Sequence, residues 1–279
     1  MAVIRSMTQA DYASVAAMAR DAALEALVGR PAWETEADVA AEAGGLQGGT
    51  FLVAADDDGR LVGVAGFRLT EQGEAEIYGP LVTAEGSGIG AWLEARVVTL
   101  AQARGAQAFS MLIGVANRAG AAWAEWRGYQ RDTETPELLL TWLYPGDLRP
   151  VPPVPGALVR PAAGHDAPRI QAMLEEGFPL ERSIPADWTD NCWLVEQHGQ
   201  VAGFLCLNQT RVDHLYIDPA YRRQGLGATL LSAVVQRLWQ AEPNARVAAA
   251  VPLDDAAPLS LFRRLGFRRE IPVAKWMKR

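Results

Sequence analysis

"HLYIDPAYRRQGLGATLL", His214 to Leu231, passes from an apolar, strand-like run through a proline turn and two arginines into Gly-X-Gly, then directly into an apolar helix pattern. A helix N-terminus presents backbone N–H groups without intrahelical partners and a partial positive charge, so it attracts anions without any special side chain. Gly225 and Gly227 remove the Cβ atoms that would hold an anion away from those amides. Arg222, Arg223 and Gln224 add donors and positive charge suited to a pyrophosphate. Spacing excludes two rival phosphate loops: there is no GxxxxGK[ST], and no third glycine or acid about 20 residues further on, as a dinucleotide fold prefers.

A fainter copy, "GPLVTAEGSGIGAWL", runs from Gly79 to Leu93. Gly88, Ile89 and Gly90 stand where Gly225, Leu226 and Gly227 stand in the second copy, and Glu85 takes the place of Arg222. The connection from Val82 is about two residues shorter than that from Ile217. Losing the arginines removes charge-assisted hydrogen bonds worth roughly 1.5 to 3 kcal/mol each. The first copy is therefore either a degenerate structural domain or a weaker anion site.

The repeat extends outward from these loops. "VIRSMTQADYASVAAMARDAA" and "LVRPAAGHDAPRIQAMLEEGF" align Arg5 with Arg160, Asp11 with Asp166 and Met18 with Met173, and the aspartates read as acids capping a first helix. Two apolar runs around a polar turn follow in each half, with Asp58-Gly59 and His198-Gly199 as hairpin signals. After the loop and its helix, each half has a short apolar strand, a helix closed by Gly128-Tyr129 or Gly266-Phe267, and a last strand carrying Trp142 or Trp276. One α/β unit is duplicated, each copy a mixed, mainly antiparallel sheet flanked by helices. "PGDLRPVPPVPGA" holds five prolines and reads as an extended linker. The expected organisation is a domain over 1–144, a linker over 145–156 and a domain over 157–279.

Composition agrees with this plan. A chain of 279 residues, 49% hydrophobic and 21% charged, is long enough for two cores and too apolar for disorder. Residues 1–150 hold 11 basic and 20 acidic side chains, whereas 151–279 hold 15 and 13. No broad basic face is available for nucleic acid. No apolar run approaches the roughly 20 residues that span a bilayer, and the N-terminus lacks a signal-peptide pattern, so a cytoplasmic protein is expected. The only cysteines, Cys192 and Cys206, fall on neighbouring strands without metal-site spacing, and reduced thiols and no metal are expected.

"YIDPAYRRQGLGATLL" resembles the acetyl-CoA pyrophosphate loop of the GNAT superfamily of N-acetyltransferases, with Arg222, Gly225 and Gly227 filling its pattern. Residues 157–279 are similar to that family in their whole order of elements, and residues 1–144 more loosely. The resemblance implies acetyl-CoA as co-substrate, held by the loop from Arg222 to Ala228 and by the backbone of Leu215, Tyr216 and Ile217, on a strand splayed from its neighbour. It places Asp255 and Phe262 at further cofactor positions, and Val82, Gly88, Ile89, Gly90 and Asn117 at a possible second site. The acceptor it implies is an amine, small or peptide-borne, and the protein would be a monomer or homodimer.

Acyl transfer to an amine requires removing a proton from an ammonium, polarising the thioester carbonyl and helping the thiolate leave. In "TRVDHLYID", strand alternation puts Arg211, Asp213, Leu215 and Ile217 on one face and Val212, His214 and Tyr216 on the other. The resemblance implies a base with the parity of Ile217, which selects Asp213; His214 has the side-chain type that titrates near neutrality but the less suitable face. The tyrosine that relatives use as an acid falls on Phe262 in one copy and Ala124 in the other, leaving Tyr216 or Tyr221 as substitutes. "PLERSIPADWTDN" is the candidate acceptor segment, with Trp188 as an apolar wall and Glu181, Asp187 and Asp190 as attractors of a cation. A non-catalytic CoA-binding sensor or scaffold is the alternative, favoured by the missing tyrosine.

Overall fold

The arginines and aspartates aligned at the head of each repeat meet in the same way. Arg5 donates two hydrogen bonds to Asp11, both 2.7 Å, and Arg160 donates two to Asp166, at 2.7 and 2.8 Å. Each aspartate also accepts from a backbone N–H, that of Thr8 or Ala163, closing a 3₁₀ turn. The turns lead into α1 (Tyr12–Asp21) and α5 (Ala167–Gly177). The guanidinium beside each carboxyl holds it below the usual carboxylate range. Such groups stabilise the fold fully above their unfolded pKa, near 4, and the stabilisation is lost as pH falls through the lower folded value. Asp166→Asn is expected to lower the thermal midpoint at neutral pH and to flatten its decline below about pH 4, as melts at a series of pH values will show.

The computed structural model describes residues 2–21, 33, 35–44, 50–70, 72–84, 86–178 and 188–279. Two compact units emerge, one of Met1–Glu137 with Ile271–Arg279 and one of Leu138–Glu270. In the first, β1 (Val3–Ser6), β2 (Thr50–Ala55), β3 (Leu61–Leu69) and β4 (Glu74–Val82) pair antiparallel in sequence order. β4 then runs parallel to β5 (Ala108–Gly114). α1 and α2 (Glu36–Gly44) belong to this unit, as do α3 (Ile89–Ala103), which follows the glycine loop, and α4 (Arg118–Trp126). The second unit repeats the order with β8 (Ala157–Pro161), β9 (Cys192–Gln197), β10 (Gln200–Asn208) and β11 (Arg211–Ile217), and β11 runs parallel to β12 (Val247–Pro252). Its helices are α5, α6 (Trp188–Asn191), α7 (Leu226–Ala241) and α8 (Ala256–Leu265).

The halves exchange their last strands, which moves the expected boundaries at 144 and 157. β7 (Leu138–Leu143) pairs antiparallel with β12 of the second unit, from Leu138↔Pro252 to Leu143↔Val247. The final strand, β13 (Arg268–Lys278), pairs with β5 of the first unit from Val273↔Gly114 to Lys278↔Phe109, and with the short β6 (Gln130–Arg131). Leu139 and Leu143 accordingly lie in the α7-side core of the second unit, and Ala274 and Trp276 in the α3-side core of the first. Both strands carry apolar residues enough to complete a core, and neither sequence names the half that it joins.

Two further expectations are corrected. The proline-rich segment is no free linker: Leu148, Val151 and Val154 pack on the α7-side core, and Gln197 donates a hydrogen bond to the Pro155 carbonyl at 3.0 Å. Proline denies the segment a ladder but not burial of its valines. Cys192 and Cys206 are joined in a disulfide instead of standing as free thiols, because the β9–β10 register sets them directly opposite each other.

Candidate active site

The parallel ladder between β11 and β12 is short, with Arg211↔Ala248 and Val212↔Ala249 its only register pairs. β11 continues to Ile217 beside β10 alone, so its other edge is free of strand pairing over the stretch from Asp213 to Ile217. In the first unit the β4–β5 ladder covers Glu74 to Glu76 and likewise stops before Val82. A strand edge left open in this way presents unpaired N–H and C=O groups to an extended partner.

A bulge changes what β11 shows on each face. Cys206 pairs with His214 and Leu207 with Val212, which leaves Asp213 without a partner on β10. An extra residue inverts side-chain alternation beyond it. Val212 therefore packs in the α7-side core together with Leu215 and Ile217, while Tyr216 lies in the α5-side core. The uninterrupted alternation expected from the sequence, which set Val212 with His214 and Tyr216, is corrected, and with it the parity that selected Asp213. Asp213 sits in the bulge and accepts a hydrogen bond from Arg211 at 2.5 Å. His214 is buried, with Phe178 edge-on at 4.9 Å and Phe204 at 6.4 Å between ring centroids.

β11 leads into the glycine loop through Asp218, whose side chain accepts from the Ala220 N–H and from Arg169. These two bonds, in that order, hold its pKa below the ordinary carboxylate value. Arg222 donates through Nε to the Ile217 carbonyl at 2.8 Å, and its guanidinium lies 5.4 Å from the Tyr216 ring centre. Gly225 is the N-cap of α7 in the left-handed region, at φ 86°, and no side chain caps the helix start. Gly88 caps α3 in the same way at φ 77°. Two residues earlier the backbone is again left-handed in both loops, at Arg223 (φ 65°) and Gly86 (φ 74°). Glycine enters this region freely, whereas a residue with a Cβ pays about 1 to 2 kcal/mol. The second loop thus places an arginine where the same turn in the first has glycine.

The remaining positions divide by chemistry. Leu226 and Ala228 are buried in the core, so only their backbone faces outward, and a Cβ at Gly227 would touch Leu261 and Ile217 at 3.4 and 3.5 Å. Asp255 caps α8 by accepting from the Ala257 N–H, and Asn117 caps α4 by accepting from the Gly120 N–H. Phe262 is buried edge-on against Phe267, with ring centroids 4.8 Å apart, and Ala124 is fully buried. Phe262 and Tyr216 belong to different cores on opposite faces of the sheet, so Tyr216 does not stand where the missing tyrosine would. In the first loop Ser87 Oγ approaches the Ile89 N–H at 3.4 Å, and Val82 and Ile89 pack on the α3-side core. Glu85, Glu181 and Asp187 lie outside the described residues; Trp188 and Asp190 form part of α6. No helix among the described residues is long and apolar enough to cross a membrane.

A parallel strand pair that opens beside a glycine-capped helix is thus built twice in one chain. Residues 17–129 match the acetyltransferase (GNAT) family and residues 188–269 the acetyltransferase (GNAT) domain, together more than half of the chain. The chain belongs to the GNAT superfamily of acyl-CoA N-acetyltransferases and carries two of its domains in tandem. Among solved structures, it is similar to a GCN5-related N-acetyltransferase from Sphaerobacter thermophilus, with a TM-score of 0.70 at 17% identity over 99% of this chain and 95% of that one. A tandem GNAT protein from the clavulanic acid biosynthesis pathway gives 0.63 at 18% identity over 100% and 98%. A GCN5-related N-acetyltransferase from Kribbella flavida gives 0.55 at 20% over 78% and 87%. The search of curated proteins finds no match.

Proposed function

We propose that the second unit carries the chemistry, moving an acetyl group from acetyl-CoA to a primary amine. The observation that carries this reading is Arg223: it occupies a left-handed position where the first unit has Gly86, and strain kept at a loop is a mark of function. With Arg222 it gives this loop the positive charge that the first lacks. The α7 amides at Leu226 and Gly227, with both arginines, would hold the pyrophosphate. The open edge of β11 from Leu215 to Ile217 would pair with the pantetheine arm, and an N–H there would polarise the thioester carbonyl.

In the transfer, an N–C bond forms as the C–S bond breaks. The ammonium gives one proton to a base before attack, and a second N–H proton ends on the thiolate sulfur. Asp213 sits in the bulge, bonded to Arg211, and His214 on the α5 face is the base in this reading. Phe262 offers no proton to the thiolate, which leaves that step to water. A CoA-binding sensor without catalysis is the second reading, supported by the absence of a hydroxyl at both Phe262 and Ala124. Thiol release from acetyl-CoA over a panel of primary amines separates the two: amine-dependent release supports the enzyme, and tight binding without release supports the sensor.

A further inference from the structure

The two cysteines stand in one row with His214. On β10, Cys206 is directly opposite Cys192 of β9 on one side and His214 of β11 on the other. Residues opposite each other in an antiparallel pair send their side chains to the same face, so the disulfide and the imidazole share the α5 face. Opening the bond changes the room this row needs. Bonded sulfurs lie about 2 Å apart, whereas non-bonded heavy atoms rest about 3.5 Å or more apart, so two thiols must spread by roughly 1.5 Å. The core above them is filled by the fully buried Ile170, Met173 and Leu194, and a close-packed interior has no such volume to give. β9 is held on both edges: it pairs with β8 as well as β10, and the Cys192 carbonyl accepts from the Ala162 N–H at 2.9 Å. β11 is less constrained. From His214 onward it pairs with β10 alone, and the bulge at Asp213, immediately before His214, already interrupts its ladder. The strand that yields is therefore β11, and the residue on it opposite Cys206 is His214.

We infer that Cys192–Cys206 is a thiol–disulfide exchange site, and that its state sets the position of His214. A small dithiol supplies the two electrons. Its thiolate attacks the sulfur of Cys206, the less buried partner at 8% exposed against 1%; the S–S bond breaks as a mixed disulfide forms, and Cys192 leaves as a thiolate. The second thiol of the reductant then displaces Cys206, so the reductant ends as a cyclic disulfide and its two protons end on the protein thiols. A disulfide oxidant reverses the exchange. In the bonded state His214 is held by Phe178 and Phe204, with ring centroids 4.9 and 6.4 Å away. The thiol state displaces the imidazole, and acetyl transfer slows. That last consequence rests on reading His214 as the base; the displacement itself does not.

Dithiothreitol on the folded full chain tests it with two independent readouts. The chain has three histidines, so the His214 ring resonance is identified by its loss in His214→Gln and followed by NMR. Reduction is expected to make two thiols available to alkylation without denaturant. It should also move the His214 resonance further than those of His165 and His198, and lower the rate of amine acetylation, read as product mass, about tenfold, as misplacement of a reacting group does. Oxidised glutathione restores both signals. The double variant Cys192→Ser, Cys206→Ser, which has no sulfur left to exchange, responds to neither reagent. Thiols that alkylate only in denaturant, or a His214 resonance that stays in place on reduction, overturn the exchange site. A moved resonance with an unchanged rate overturns its link to acetyl transfer. Absence of acetylated product in both states overturns the acetyltransfer reading, and the resonance still decides the exchange site.

Discussion

A chain ending at Glu270 will lose the fold of its first unit. The missing strand pairs with β5 over six residues, Phe109 to Gly114, and buries Ile271, Val273, Ala274 and Trp276. Burial of a large apolar side chain is worth about 1.5–3 kcal/mol, so removing three of them with a ladder consumes most of the roughly 5–15 kcal/mol that holds a domain folded. Lys278 also leaves Glu94, a fully buried carboxylate otherwise held by Arg127 and Tyr129. The check is hydrogen exchange at the β5 amides in the truncated and full chains: protection should collapse in the truncated one. Retained protection would mean that the exchanged strand is dispensable.

The second large effect concerns charge at the loop. Arg222→Glu gives the second loop the residue that the first has at the aligned position, and it should weaken acetyl-CoA about 100-fold or more. Loss of one charge-assisted bond accounts for roughly 1.5–3 kcal/mol, and a carboxylate facing a pyrophosphate adds repulsion. Titration calorimetry reads the change directly. Arg223→Gly is the companion measurement: it removes charge but relieves a left-handed backbone, so stability should rise by about 1 kcal/mol as affinity falls. A loop that used its arginines only for solubility would show neither loss.

What was legible in the sequence follows from how local each cause is. The loop could be read because its chemistry lies within six consecutive residues, from Arg222 to Gly227; the repeat showed Arg5 with Arg160 and Asp11 with Asp166, but that each arginine pairs with the aspartate six residues on was not legible. The strand exchange could not be read, since the strands of Trp142 and Trp276 both suit a core edge and only the tertiary ladder assigns them. "RVDHLYI" alternates without a visible break, so the bulge that strands Asp213 leaves no trace in composition. The Cys192–Cys206 bond depends on the β9–β10 register, which is itself shifted between Val201 and Gly203. The valines of the proline-rich segment were overshadowed by its prolines.

The central claim is that the second unit, and not the first, works on acetyl-CoA. Gly90 and Gly227 hold equivalent places in the first turns of α3 and α7, so a tryptophan at either one would block its own loop and leave the other untouched. Amine-dependent thiol release should vanish in Gly227→Trp and persist in Gly90→Trp, with both variants melting as folded proteins. Release that survives Gly227→Trp and disappears in Gly90→Trp would contradict the account.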